Sequence, residues 1–149
     1  MKKIFIYFSN SGNGDFVGEI LKSNGYEILK LNTKKQMKKM GFFRMMFYGM
    51  RASFGKKEKL LPYSFSKEQY DQIVIGSPIW ADRVSTPVNT FLCEQDLSNK
   101  RIAFILYSGG GGCKKGTEDI KKKFEDARII NLKMPLLNKE ATVKALSSK

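Results

Sequence analysis

The stretch K-I-F-I-Y-F-S-N-S-G-N-G-D, residues 3–15, decides the fold. Lys3 to Phe8 is a nearly continuous apolar run rich in β-branched and aromatic side chains, the pattern of a strand covered on both faces. A polar turn follows, and a helical pattern begins at once, with Phe16, Val17, Ile20 and Leu21 on one stripe. A strand that enters a helix through such a short turn aims free backbone N–H groups at one point. The positive end of the helix dipole and the hydroxyls of Ser9 and Ser11 add to them. Ser9-Asn10-Ser11-Gly12-Asn13-Gly14 is therefore a candidate phosphate cradle that needs no lysine. The plain alternative is a polar turn whose Gly and Asn tolerate left-handed backbone angles.

Outward from this stretch, two similar apolar runs recur at Gln72 to Ile75 and Ile102 to Tyr107, with weaker strand patterns at Tyr26 to Leu31 and Arg128 to Leu132. Helical patterns lie between them. Val88, Phe91 and Leu92 form one stripe, with Thr86 as the expected N-cap and Pro87 at the first helical position. Thr117 to Ala127 carries Glu118 and Asp119 in its first turn and lysines afterwards, which complements the helix dipole. A last helix, from about Asn138 to Leu146, is expected to pack through Val143 and Leu146. Strands alternating with helices imply a parallel sheet wrapped on both faces. Five strands in this length predict a three-layer, doubly wound α/β fold of strand order 2-1-3-4-5, read as a single domain over residues 1–149. In such sheets ligands bind beyond the carboxyl ends of the strands, where the winding switches.

Composition narrows the chemistry. The 149 residues are 42% hydrophobic, enough for an ordinary core, and include no histidine. Without histidine there is no Ser-His or Cys-His nucleophile pair, and Cys93 and Cys113 alone make no ordinary zinc site. No catalytic residue and no metal site is assigned, so the chemistry falls to a bound cofactor. The first residues lack the pattern of a secretory signal and no run is long enough to span a membrane, so a cytoplasmic protein is expected.

The second and third loops sharpen the reading. Gly76-Ser77-Pro78-Ile79-Trp80-Ala81-Asp82 follows the third strand pattern, and a rigid Pro-containing loop can hold the sole tryptophan against a flat aromatic ligand or let it cap the core. Ser108-Gly109-Gly110-Gly111-Gly112-Cys113 follows the fourth, where backbone N–H groups can approach a ligand closely. Two rival phosphate motifs are weaker. Gly12, Gly14 and Gly18 form G-x-G-x-x-x-G, but Asn32, Thr33 and Lys34 stand where a dinucleotide site needs an acid. The run G-G-C-K-K-G-T lacks the lysine before Thr117 that a P-loop requires.

Taken together the three loops resemble those of the flavodoxins, particularly short flavodoxin-like proteins with a G-S-P-I-W loop. Ser9 to Gly14 matches the S/T-x-T-G-N-T phosphate loop, Gly76 to Trp80 with Pro87-Val88 matches the third-strand loop, and Ser108 to Gly110 matches the fourth. The resemblance implies flavin mononucleotide (FMN), its phosphate on Ser9, Asn10, Ser11, Gly12, Asn13 and Gly14. Its ring is then held by Ser77, Pro78, Ile79, Trp80, Ser108, Gly109, Gly110 and Gly111. The implied activity is electron transfer, as a carrier or as a small reductase of a quinone-like acceptor. Gly14 departs from the family's Thr and removes one hydroxyl from the phosphate loop, so restoring Thr is expected to tighten FMN. Ala81-Asp82 and the basic charge are further departures.

That charge is formally +13, from 27 Lys and Arg against 14 Asp and Glu. Residues 33–60 hold nine basic side chains and one acid, Glu58. In the same segment Met40, Phe43, Phe47, Met50 and Phe54 recur at helical spacing, read as a crossover helix plus a basic loop. An acidic redox partner is favoured, with peripheral contact on anionic lipid as a further expectation. Nucleic acid is not expected, because the aromatics follow helical spacing and not an open strand surface. The alternative function is a binding module that keeps the fold, holds FMN weakly or not at all, and docks on a membrane or acidic partner through residues 33–60.

Overall fold

In the computed structural model, residues 1–34 and 58–148 are described. The elements run β1 (Lys3–Tyr7), α1 (Asn13–Ser23), β2 (Glu27–Lys30), a short 3₁₀ turn (Lys67–Gln69), β3 (Gln72–Trp80), β4 (Arg83–Val84), α2 (Thr86–Glu94), β5 (Arg101–Ser108), α3 (Lys114–Lys123), β6 (Arg128–Lys133) and α4 (Lys139–Ser147). Five strands pair in parallel in the order β2-β1-β3-β5-β6, the predicted 2-1-3-4-5 winding; the two-residue β4 folds back antiparallel on β3. Of the basic, Met- and Phe-rich segment read over residues 33–60, residues 35–57, with the whole Met40 to Phe54 stripe, lie outside the described ones. Its ends meet at a bridge between Thr33 and Leu60.

Strand alternation sends successive side chains to opposite faces, so each face has its own core. Ile4, Ile6, Ile73, Ile75, Ile102 and Phe104 pack on one side with Val88, Phe91 and Leu92 of α2 and Ile120 of α3. Phe5, Tyr7, Val74, Ala103, Ile105 and Tyr107 pack on the other with Val17 and Leu21 of α1. Register lines the second face up in rows: Lys3, Gln72 and Arg101; then Phe5, Val74, Ala103 and Arg128; then Tyr7, Gly76, Ile105 and Ile130. Gly76 belongs in that third row because the stacked rings of Phe5 and Tyr7, 4.9 Å apart, lean across it. A Cβ on Gly76 would stand 2.5 Å from Phe5 Cζ.

Several boundaries differ from the sequence reading. Gly76 to Trp80, read as a loop, continues β3: it pairs with β5 as far as Pro78 and with β4 through Ile79 and Trp80. Pairing with β5 along Gly76, Ser77 and Pro78, and with β1 as well at Gly76, overrides their weak strand propensity. The connection is instead the two-residue hairpin Ala81-Asp82, both at positive φ, 48° and 60°; two left-handed residues match the twist of a tight hairpin. Ser85, not Thr86, occupies the N-cap of α2. α3 begins at Lys114, three residues before Thr117. α1 buries Gly14, Val17, Gly18 and Leu21, leaving Phe16 and Ile20 half-exposed. In α4 the inward residues are Thr142, Ala145 and Leu146, whereas Val143 is exposed.

Candidate functional site

Three loops open at the carboxyl end of the parallel sheet. At the first, Gly12 is the N-cap of α1 at φ 89°, a left-handed turn that suits glycine, and its carbonyl accepts the Phe16 N–H at 3.0 Å. First-turn N–H groups have no acceptor inside a helix; that of Gly14 donates to Ser9 Oγ at 3.1 Å. Ser11 is exposed, and its hydroxyl oxygen accepts from Asn13 Nδ2 at 3.2 Å. Asp15, the acid of this turn, faces the sheet: Tyr7 donates its hydroxyl to Oδ1 at 2.8 Å, and Lys30 Nζ lies 2.7 Å from the same atom. With that carboxylate partnered by a lysine, the helix start keeps its positive field for an anion.

Beneath the loop stands Tyr107, fully buried, its hydroxyl donating to the Phe8 carbonyl. Burial comes first among the causes that push its phenol well above the ordinary range, followed by Tyr7 and Asp15, so it stays protonated and keeps donating. Gly14 lies directly on this ring: a Cβ there would be 2.4 Å from Tyr107 Oη and 2.9 Å from Ser9 Cβ. Gly14 is buried because Tyr107 fills the space a side chain would take.

At the second loop the structure turns the expected ring contacts inward. Ser77 is fully buried; its hydroxyl accepts the Ser85 N–H at 2.9 Å, lies 3.1 Å from Ser85 Oγ and donates to the Pro78 carbonyl at 2.8 Å. It staples β3 to the start of α2. Trp80 is 4% exposed and meets Phe8 edge-on at 5.8 Å, within the core cluster under α2 and α3. Of the four residues expected here, Ile79 alone is partly exposed; Pro78 is buried. Asp82, marked in the sequence only as a departure from the family's loop, accepts the N–H groups of Lys114 at 2.8 Å and Lys115 at 3.1 Å. This carboxylate cap joins the hairpin to α3, a contact of the kind worth about 0.5–2 kcal/mol. An Asp at a hairpin tip signals a turn in sequence but gives no clue to a helix 32 residues away.

At the third loop no heavy atom of the described residues lies within 4 Å of where a Cβ would stand on Gly109, Gly110 or Gly112, so among those residues that side is open. Ser108 Oγ accepts the Gly111 N–H at 2.8 Å and fixes the turn. Gly111, at φ 76°, sits against Lys133, where a Cβ would be 3.0 Å from Lys133 Cβ. Burial pushes the Cys113 thiol up to about 11, which leaves it a thiol at neutral pH and no nucleophile. A fourth segment, Met134 to Asn138, was missed from sequence. Its Leu136 N–H donates to Asn13 Oδ1 at 3.0 Å and its Met134 N–H to the Ser108 carbonyl at 3.0 Å, tying the first and third loops together. No cluster of three or more metal-ligating side chains occurs among the described residues, and no helix among them is long and apolar enough to cross a membrane.

A family model described as flavodoxin matches residues 50–148. Among solved structures, a flavoprotein from Lactobacillus acidophilus in complex with FMN is 18% identical, with a TM-score of 0.71 over 93% of this chain and 97% of that one. The apo-form of the flavoprotein from the same organism is 20% identical, with a TM-score of 0.61 over 87% and 89%. Oxidised flavodoxin 1 from Bacillus cereus is 17% identical, with a TM-score of 0.51 over 97% and 93%. At these identities the solved structures establish the fold. No curated protein matches the chain.

Proposed function

We propose that this chain, which belongs to the flavodoxin family, binds FMN at the carboxyl end of its sheet and passes electrons through it. The observation that carries the reading is the start of α1, a partly exposed turn whose first N–H groups have no acceptor inside the helix, with two serine hydroxyls and its one acid bound to Lys30. The FMN complex of the Lactobacillus flavoprotein, which shares the fold, supports it. Ser9, Ser11 and the backbone from Gly12 to Asp15 would hold the phosphate. Gly109, Gly110 and Gly112 offer open backbone for the ring, and Ile79 is the partly exposed apolar side chain beside them. When bound, FMN supplies the redox chemistry; the chain binds, orients and excludes water. The hydroxyl missing at Gly14 would favour a module that holds FMN weakly, but burial of Gly14 against Tyr107 gives that glycine a packing role.

Titration of the apoprotein with FMN, followed by absorbance, tests this. Saturable uptake is expected, and no uptake would overturn the reading. Ser11→Asp should weaken binding by at least about a hundredfold, because a carboxylate would replace a donor beside the phosphate. Since Ser11 is exposed, the melting temperature should hardly move. Unchanged affinity would put the phosphate elsewhere.

Lys114, Lys115, Lys133 and Lys139 stand around this end of the sheet, at the starts of α3 and α4 and the end of β6. The reading therefore includes an acidic redox partner, with a small quinone-like molecule as the alternative acceptor. Transfer to an acidic protein should slow several-fold between about 0.05 and 0.5 M salt, while reduction of a neutral quinone should not. Salt-independent rates with both would remove the electrostatic partner.

A further inference from the structure

At the opposite end of the sheet, away from every loop described above, lies a cavity of about 660 Å³. This is the size range of sites for small ligands, roughly 300–1,000 Å³. Its floor is the second sheet face, where Val74 and Ala103 are the small members of a row otherwise held by Phe5 and Arg128. Ile105 and Ile130 continue the floor inward, and Leu21 of α1 and Leu146 of α4 form apolar walls. The rim is different. Lys3 and Arg101 open β1 and β5 and flank Gln72 in one row, each about 4.8 Å away at the usual strand spacing. Arg128 opens β6 one row further in.

Among the described residues no acid lines the cavity. Asp71, next to Gln72 in the chain, accepts the Lys2 N–H instead. Lys3 Nζ lies 5.1 Å from the centre of the Tyr26 ring, and Arg128 donates to the Ser148 carbonyl at 3.1 Å. The Arg101 side chain has no hydrogen bond or ion pair among the described residues. Three cations over an aliphatic floor, with no carboxylate of the described residues between them, complement a molecule with one anionic head and an apolar tail.

From this arrangement we infer a second binding site, for an aliphatic carboxylate whose tail lies against the partly exposed Ile130 and Leu146, above the nearly buried Val74 and Ala103, and whose head meets Arg101, Lys3 and Arg128. The site is independent of the FMN reading, since it shares no residue with the loops at the carboxyl end.

Octanoate is the probe, titrated into the full chain and followed by amide NMR shifts, with 1-octanol as the uncharged counterpart. Saturable shifts are expected at Val74, Ala103, Ile105, Ile130 and Leu146, with octanoate binding at least tenfold more tightly than octanol. Hexanoate should bind more weakly than octanoate, by up to about fourfold per methylene removed. Arg101→Glu, at an exposed position, should weaken octanoate at least tenfold and leave octanol unchanged. Absence of saturation, equal binding of octanol, or shifts confined to the start of α1 would each overturn the site. So would an Arg101→Glu protein of normal melting temperature that binds octanoate as before. Should that variant fail to fold, the octanoate-to-octanol ratio of the unaltered chain decides alone.

Discussion

Replacing Trp80 by alanine is expected to cost about 3–5 kcal/mol of folding stability, the range for truncating a large aromatic side chain in a packed core. The ring is 4% exposed, edge-on to Phe8, and grouped with Val84, Val88 and Cys113 in the larger core. Against a total stability of about 5–15 kcal/mol for an ordinary domain, that loss leaves the fold marginal. Urea unfolding should show a lower midpoint at an unchanged slope. Trp80→Phe, which keeps a ring at the site, should recover most of the loss. The sole tryptophan gives a second readout: in the FMN-free protein its fluorescence should resist quenching by acrylamide. A stacking platform open to the cofactor behaves in the opposite way. Easy quenching, together with an alanine variant that loses FMN affinity at nearly normal stability, would return Trp80 to the flavin.

Where the sequence was readable, the reason was local. β1 and β5 are buried on both faces, so their apolar runs announce them, and two strong parallel strands separated by helical patterns leave few ways to wind a sheet. β3 was cut short because Gly76, Ser77 and Pro78 carry loop chemistry, while their roles are set by neighbours: Gly76 by the rings of Phe5 and Tyr7, Ser77 by Ser85. The first and third loops of the candidate site were visible as Ser, Asn and Gly after a strand. What closes them was not. The Leu136 N–H on Asn13 Oδ1 joins residues 123 positions apart, and no pattern within either segment marks it. Asp82 and Trp80 make the same point from opposite sides, a turn residue that caps a distant helix and an aromatic placed like a ligand contact that belongs to the core.

Gly14→Thr shows how such a distant contact reverses an expectation. From the phosphate loop alone, the added hydroxyl should strengthen a charge-assisted hydrogen bond and tighten FMN. The structure predicts a loss. The backbone at Gly14 is helical and would accept a side chain, so the obstacle is space: the new Cβ would stand 2.4 Å from Tyr107 Oη and 2.9 Å from both Tyr107 Cζ and Ser9 Cβ. Tyr107 cannot swing aside cheaply, since its ring is buried and its hydroxyl is bonded to the Phe8 carbonyl. Relief must come from the loop itself, which would move Ser9 and the first turn of α1 away from their present positions. Overpacking of this kind costs about 1–3 kcal/mol. If about half of that displaces the phosphate contacts, FMN affinity falls by about two- to tenfold. Tyr107→Phe removes the nearest clashing atom, so the double variant should be less destabilised than the sum of its parts, a coupling of about 0.5–3 kcal/mol. Thermal unfolding and calorimetric FMN titration of the two single variants and the double measure both quantities. A Gly14→Thr protein that melts normally and binds FMN more tightly would show that the loop has room which Tyr107 does not fill.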